Sequence, residues 1–444
     1  MYRLLYLCYR GLSNGRYWVM RRFTPAGLAV LGAMAVAGGI GVDTSANVAH
    51  QAFALLLALL LVAIAGSVRF RGKFAVDRLL PRFGTVGTTL AYSVLVANTG
   101  HKTQRGLLVM ENLIDPRPSL EEFTAQFRAE DSRTRSFRVG QRMRKPPSRM
   151  ARIRPRSLPS LPPGSSGEVR LECLPLRRGL LRFTAVTVAR PDPLGLFQGL
   201  RNLPKPQTVL ILPKRYALPP IALPGVMKYQ PGGVAQASSV GQSEEFVSLR
   251  PYRSGDPLRR IHWPSWAKAG EPVVKEFQDE FFVRHALVLD TFLDAPESDL
   301  FEEAVSVAAS FACAIQTQES LLDLMFVGPQ AICLTAGRGV AHVEQMLEIL
   351  AAARPCRDRS FETLCQLVLD HMSLVSGCIL VLVRWDEARR DLVRRLRAMG
   401  VPLVVLMIVE PAAKDVLANS DAGDRPERFH VLETGKIQEG LARL

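Results

Sequence analysis

The sequence is short of the residues that local metal and redox chemistry needs. Its 444 residues include 7 cysteines, at positions 8, 173, 313, 333, 356, 365 and 378, and none forms a CxxC pair. This argues against a zinc or iron–sulfur site built on neighbouring cysteines, and against a disulfide scaffold. Histidine is as scarce, with 7 in the chain, none paired at ligand spacing. No H-E-x-x-H, G-x-x-x-x-G-K-[ST] or G-x-S-x-G occurs, so the familiar metalloprotease helix, phosphate cradle and nucleophile elbow are missing. No enzymatic activity is expected from these motifs. Acidic residues are also in deficit: 41 against 56 Lys and Arg gives a net charge of +15. Such a surplus suits an anionic neighbour, whether phospholipid head groups, nucleic acid or an acidic protein. With 48% hydrophobic and 22% charged residues, the chain is not a disordered one, and its length allows two or three cores.

Charge is almost absent from one stretch. Between Phe23 and Val68 the only formally charged residue is Asp43. The runs Thr24–Val42 and Gln51–Val68 each approach the ~20 residues that cross a hydrocarbon core, and the segment between them, Asp43–His50, is polar and brief. Residues 23–68 are therefore expected to form a two-helix transmembrane hairpin. Arg3, Arg10, Arg16, Arg21 and Arg22 precede it, and Arg69, Arg71, Lys73 and Arg78 follow it. The positive-inside rule then makes 1–22 a basic cytoplasmic N-terminus and puts both termini in the cytoplasm.

Past the hairpin the pattern changes to short strands. Thr88–Ala97, Gly106–Asn112, Glu168–Leu174, Leu180–Ala189 and Val209–Leu212 alternate or run β-branched between Gly and Pro turns. They predict a β-sandwich-like domain over 75–215. Within it, Ser132–Pro163 holds no acidic residue and is studded with cations, among them Arg142, Arg144, Lys145, Arg149, Arg152 and Arg154. These are candidates for contact with an anionic lipid surface by charge alone. Only Phe137 interrupts them, so a base-stacking platform is lacking and nucleic acid is not the expected partner.

Residues 216–280 read as a linker followed by a dense block of turns, charges and large aromatics. Glu245-Phe246, Leu249-Arg250-Pro251-Tyr252, Gly255-Asp256, Arg259-Arg260-Ile261-His262-Trp263, Ala267-Lys268 and Glu276-Phe277-Gln278-Asp279-Glu280 follow one another in order. The block resembles the signature of the DUF58 family of prokaryotic proteins. Arg250, Tyr252, Asp256, Arg259, His262 and Trp263 are the candidates for a domain interface or a partner-binding surface. The arginines can form charge-assisted bonds with Asp256, and the aromatics carry apolar area with polar handles.

From 281 to 415 apolar strands alternate with helices, from His285–Asp290 to Pro402–Val409, which predicts a doubly wound α/β sheet. The family resemblance implies that this domain is similar to von Willebrand factor type A. It further implies a divalent-metal site on D-x-S-x-S after the first strand. Here the segment is Asp290-Thr291-Phe292-Leu293-Asp294, and both serine positions are lost. Asp290, Asp294 and Asp386 could hold Mg²⁺ only weakly, and no other cofactor is expected. The tail, 416–444, carries no functional signal.

The resemblance implies a two-span protein of the prokaryotic inner membrane. It also implies an adaptor or scaffold role beside a MoxR-type AAA ATPase, in the assembly or maturation of envelope or other complexes. Two other readings remain at this stage: a metal-dependent hydrolase using the acidic strand ends, and a membrane-surface nucleic-acid binder.

Overall fold

The computed structural model describes residues 2–40, 47–114, 120, 124, 150–219, 228–229, 246–254, 256, 258, 261–277, 281–293, 298–315, 320–337, 343–411 and 426–444. The chain divides into two compact units at Ile211 and Leu212. The first begins with three helices, α1 (Tyr2–Arg22), α2 (Pro25–Ile40) and α3 (Asn47–Val68).

The expected two-span hairpin is not what forms. Among the described residues one helix, Val48–Val68, is long and apolar enough to cross a membrane, with a mean hydropathy of 2.4. Helix α2 has 16 residues. At 1.5 Å per residue it is about 24 Å long, short of a hydrocarbon core of about 30 Å. Thr24, the first residue of the expected run, and Phe23 before it are used elsewhere. Phe23 makes an antiparallel bridge with Phe197, and the Thr24 hydroxyl donates to Gly195 O at 2.5 Å. Gly27 then comes so close to this turn that a Cβ would lie 1.9 Å from Leu196 O. A segment whose first residues are bound to a β-turn loses them as membrane span. The two-span placement with both termini cytoplasmic falls with the hairpin.

The rest of the first unit is two antiparallel sheets. Strands β1 (Phe74–Leu79), β2 (Phe83–Thr85), β3 (Leu90–Asn98) and β4 (Leu107–Leu113) precede β5 (Ala151–Ile153), β6 (Arg156–Leu158), β7 (Ser166–Pro175), β8 (Gly179–Pro191) and β9 (Gln198–Leu212). One sheet has the order β1-β3-β7-β5 and the other β2-β9-β8-β4-β6. Strand β3 alternates buried and half-buried along its whole length, the period-two pattern of a strand with one face inward. Val94, Val96 and Leu171 from the first sheet meet Leu107, Val109, Leu181, Phe183 and Ile211 from the second in one core. A buried ion pair crosses that core. Arg78 of β1 donates to Glu111 of β4 through Nε at 3.0 Å and Nη2 at 2.7 Å, and through Nη1 to Gln207 of β9 at 2.9 Å. The Phe183 ring lies 4.8 Å from its guanidinium carbon.

The second unit opens with β10 (Lys228–Tyr229), β11 (Phe246–Pro251), helix α4 (Trp263–Ala269) and β12 (Val273–Phe277). Then β13 (Phe281–Leu289), α5 (Asp299–Ala314), β14 (Ser320–Val327), β15 (Ala331–Ala336), α6 (Val343–Ala352), α7 (Glu362–His371), β16 (Gly377–Leu382), α8 (Glu387–Ala398), β17 (Leu403–Val409), β18 (Phe429–Glu433) and α9 (Ile437–Leu441) complete the fold. The main sheet runs β15-β14-β13-β16-β17-β18, with β10 added to β13. Pairs from β14 across to β18 are parallel, whereas β15 and β10 pair antiparallel, so the sheet is mixed. Strands β14, β16 and β17 are buried at every residue, as expected when helices cover both faces. Helices α7 and α8 pack on one face through Leu364, Val368, Leu392 and Leu396. The tail supplies β18 and α9 to this sheet, a structural role that its polar sequence had not signalled.

Candidate functional site

Two places in the second unit gather the candidate residues. The first is the signature segment. Strands β11 and β12 pair antiparallel, with Arg250 opposite Val274, and Ile261 bridges Val274 from the connecting chain. Asp256 sits in the turn between. Its carboxylate accepts from Arg250 Nη1 at 2.7 Å and Nη2 at 2.8 Å, and from the Arg253 amide at 2.8 Å. Arg250 above all, and then the Arg253 amide, lower the Asp256 pKa to about 2. The sign follows from linkage: a carboxyl whose pKa is depressed by folding stabilises the fold above its unfolded value near 3.8, and that contribution fades as pH falls through about 2. A ¹³C-carboxyl titration should therefore give Asp256 a midpoint near 2 in wild type and a higher one in Arg250→Gln, where the Arg253 amide alone still lowers it.

The residues after the turn do not stay extended. The chain turns into α4 at Trp263. Pro264 stands within its first two residues, where a missing N–H costs nothing, and Gly270 closes it at φ 73°. His262 Nδ1 lies 2.6 Å from Ser265 Oγ across this first turn. Asp256 is engaged by Arg250 rather than by His262, so the two do not form an acid–base pair. Tyr252 is half-buried, and its amide donates to Pro272 O at 2.8 Å. Trp263 is 64% exposed. It stacks on Trp266, with ring centroids 5.2 Å apart and planes 19° from parallel. Trp266 was not singled out from the sequence; the i, i+3 spacing of two indoles around a proline was the available signal. Arg259 lies outside the described residues.

The second place is the carboxyl end of the main sheet, between β13 and β16. Strand order reverses there, which makes it the switch point where open α/β sheets take ligands. Asp290 ends β13 and is fully buried. Asp386 follows β16 and caps α8, accepting from the Arg389 amide at 3.1 Å. Both carboxylates face Arg389. Its Nε donates to Asp290 Oδ2 at 3.1 Å, its Nη2 to Asp290 Oδ1 at 3.2 Å and its Nη1 to Asp386 Oδ2 at 2.6 Å. The guanidinium carbon lies 4.0 Å from the Phe361 ring centroid. Burial pushes the Asp290 carboxyl up, against the pull of Arg389. Asp294 lies outside the described residues. Among the described residues no group of three or more His, Cys, Asp or Glu side chains converges as metal ligands.

Of the basic candidates, Arg142, Arg144, Lys145 and Arg149 lie outside the described residues. Arg152 is exposed on β5 and Arg154 is exposed just after it.

The profile of the family described as "Protein of unknown function DUF58" matches residues 248–417. This stretch contains both places. Residues 248–417 are a DUF58 domain. "Uncharacterized protein YeaD" of Bacillus subtilis (strain 168) is 28% identical over 180 residues, which is 40% of this chain. The match spans 43% of that relative's length. Among solved structures, the CARDB domain of the PF1109 protein from Pyrococcus furiosus, crystallised with di-metal ions, aligns with 32% of this chain and 89% of its own at 14% identity, with a TM-score of 0.18. A GH20 exo-β-N-acetylglucosaminidase from Vibrio harveyi aligns with 78% of this chain and 59% of its own at 8% identity and a TM-score of 0.14. The DUF58 domain thus combines a hairpin-and-helix segment with an α/β sheet, and its two charged clusters belong to different parts of it.

Proposed function

We propose that this protein is a membrane-attached adaptor or scaffold. Helix Val48–Val68 attaches it, and its DUF58 domain, of the von Willebrand factor type A-like kind, docks a MoxR-type AAA ATPase during assembly or maturation of protein complexes. The supporting observation is the stacked pair of Trp263 and Trp266 on α4, with Trp263 mostly in solvent. An exposed indole stacked on a half-buried one is expensive to keep in water, and tryptophan is among the side chains that most often dominate a protein interface. The two indoles are also held ready. The β11–β12 pairing, the Arg250–Asp256 fork and the closing Gly270 fix α4 before any partner arrives. That lowers the ordering cost of docking.

The test is capture from solubilised native membranes with nucleotide present, comparing wild type with a Trp263→Ala, Trp266→Ala variant of matching circular dichroism. An AAA ATPase should accompany wild type. Losing two anchors should cut its recovery by at least about thirtyfold, as the loss of one hot-spot residue of about 2 kcal/mol would. Equal capture by both proteins, or no ATPase with either, refutes the reading.

A further inference from the structure

The family resemblance implies a divalent cation at the end of β13, and the residues found there do not fit one. Both oxygens of Asp290 are already used. Arg389 takes each of them, and the amides of Phe292 and Val383 add bonds at 3.0 and 3.5 Å. Thr291, next in the chain, turns its hydroxyl away to Val327 O at 2.5 Å. A hard cation at Asp290 would need oxygens at about 2.0–2.6 Å and would have to share this carboxylate with a guanidinium of like charge. The guanidinium is nearly dry, with 6% of the side chain exposed, and it rests on Phe361. Neither charge can leave singly without stranding the other in a buried site.

We propose that the guanidinium of Arg389 is the resident cation of this site, standing where the resemblance puts a metal ion and closing the switch-point crevice between β13 and β16. Arg389 supplies what an ion would: positive charge between two carboxylates from different strand ends, delivered with a planar fork. It differs in being covalently part of α8, so the closure needs no metal. Helix α8 is tied to the end of β13 through this one side chain, over 99 residues of sequence. A crevice closed in this way leaves recognition to other surfaces of the domain.

The test uses the full-length protein in detergent. Thermal unfolding is followed for wild type, Arg389→Ala and Arg389→Ala with Asp290→Asn. Each is measured in EDTA, in Mn²⁺ and in millimolar methylguanidinium, a small cation of the missing shape. Wild type should be indifferent to Mn²⁺. Arg389→Ala should melt roughly 10 °C lower, and methylguanidinium should restore at least half of the loss. The restoration should vanish when Asp290→Asn is added. The proposal is overturned if Mn²⁺ stabilises wild type but not Asp386→Asn, which removes only the half-exposed ligand. It is also overturned if Arg389→Ala melts with wild type, or if methylguanidinium acts equally with and without Asp290. Should Arg389→Ala fail to fold, the comparison of wild type with Asp386→Asn in Mn²⁺ decides alone. Equal indifference supports the resident cation, and a Mn²⁺ effect confined to wild type refutes it.

Discussion

Arg78→Ala should destabilise the β-sheet unit by about 3–5 kcal/mol. The pair it breaks has no side-chain exposure on either partner, so Glu111 is left charged or protonated in an apolar core with no fork to meet it. Burial already raises the Glu111 carboxyl, against the Arg78 hydrogen bonds that lower it. The loss extends beyond one pair, because Arg78 also holds Lys205 O at 3.0 Å and Gln207 Oε1 at 2.9 Å on β9. One side chain of the first sheet thereby joins two strands of the second. Replacing both partners by apolar residues, as in Arg78→Met with Glu111→Leu, should recover most of the stability, since a buried ion pair gains little over well-packed hydrocarbon. Urea unfolding gives the energies, and amide exchange shows where they act. Lost protection in β1, β3 and β4 with β13 unchanged is the expected pattern. A loss below about 1 kcal/mol, the scale of an exposed pair, would mean that the site is wet.

Phe301→Ala should cost the second unit about 3–5 kcal/mol. Phe301 is 1% exposed and lies on the inward face of α5, among Ala304, Val305, Ala308 and Phe311. The cost combines the lost burial of the ring with the cavity it leaves. The same two measurements apply, with lost protection now falling on β13, β16 and β17. A cost near 1 kcal/mol would show that α5 slides inward to close the cavity.

How much of this was legible in the sequence depended on distance along the chain. Strand β3, expected over Thr88–Ala97 and found at Leu90–Asn98, announces itself by its period of two. Strands β16 and β17 announce themselves as unbroken apolar runs, and β14 as an apolar run interrupted by Asp323. The errors came where a segment serves something remote. Phe23 and Thr24 look like membrane span until Phe197 and Gly195 bind them. Trp263 stands in a block that reads as turns and charges, yet Pro264 and Gly270 set the two ends of a helix. Arg389 was hidden most completely. In a helix reading EARRDLVRRLRA, one more arginine looks solvated, and only Asp290, 99 residues away, distinguishes it from its neighbours. The acidic ends of the strands were visible, but the cation between them was not. The β10–β13 pairing and the strand from the tail were equally remote, since each joins its sheet across long connections.

The distribution of thiols gives the protein two spectroscopic handles. Cys8 and Cys313 are exposed, whereas Cys173, Cys356, Cys365 and Cys378 are buried and Cys333 is half-buried. Burial also keeps several of these thiols protonated, pushing Cys173 and Cys378 up to about 12 and Cys333 and Cys365 to about 11. A maleimide reacts with an accessible thiolate, so brief labelling at neutral pH should mark Cys8 and Cys313 and spare the rest. One lies in each compact unit. The unmodified sequence is thus ready for a donor–acceptor or spin-label pair, with one reporter on the helical start of the first unit and one on α5 of the second.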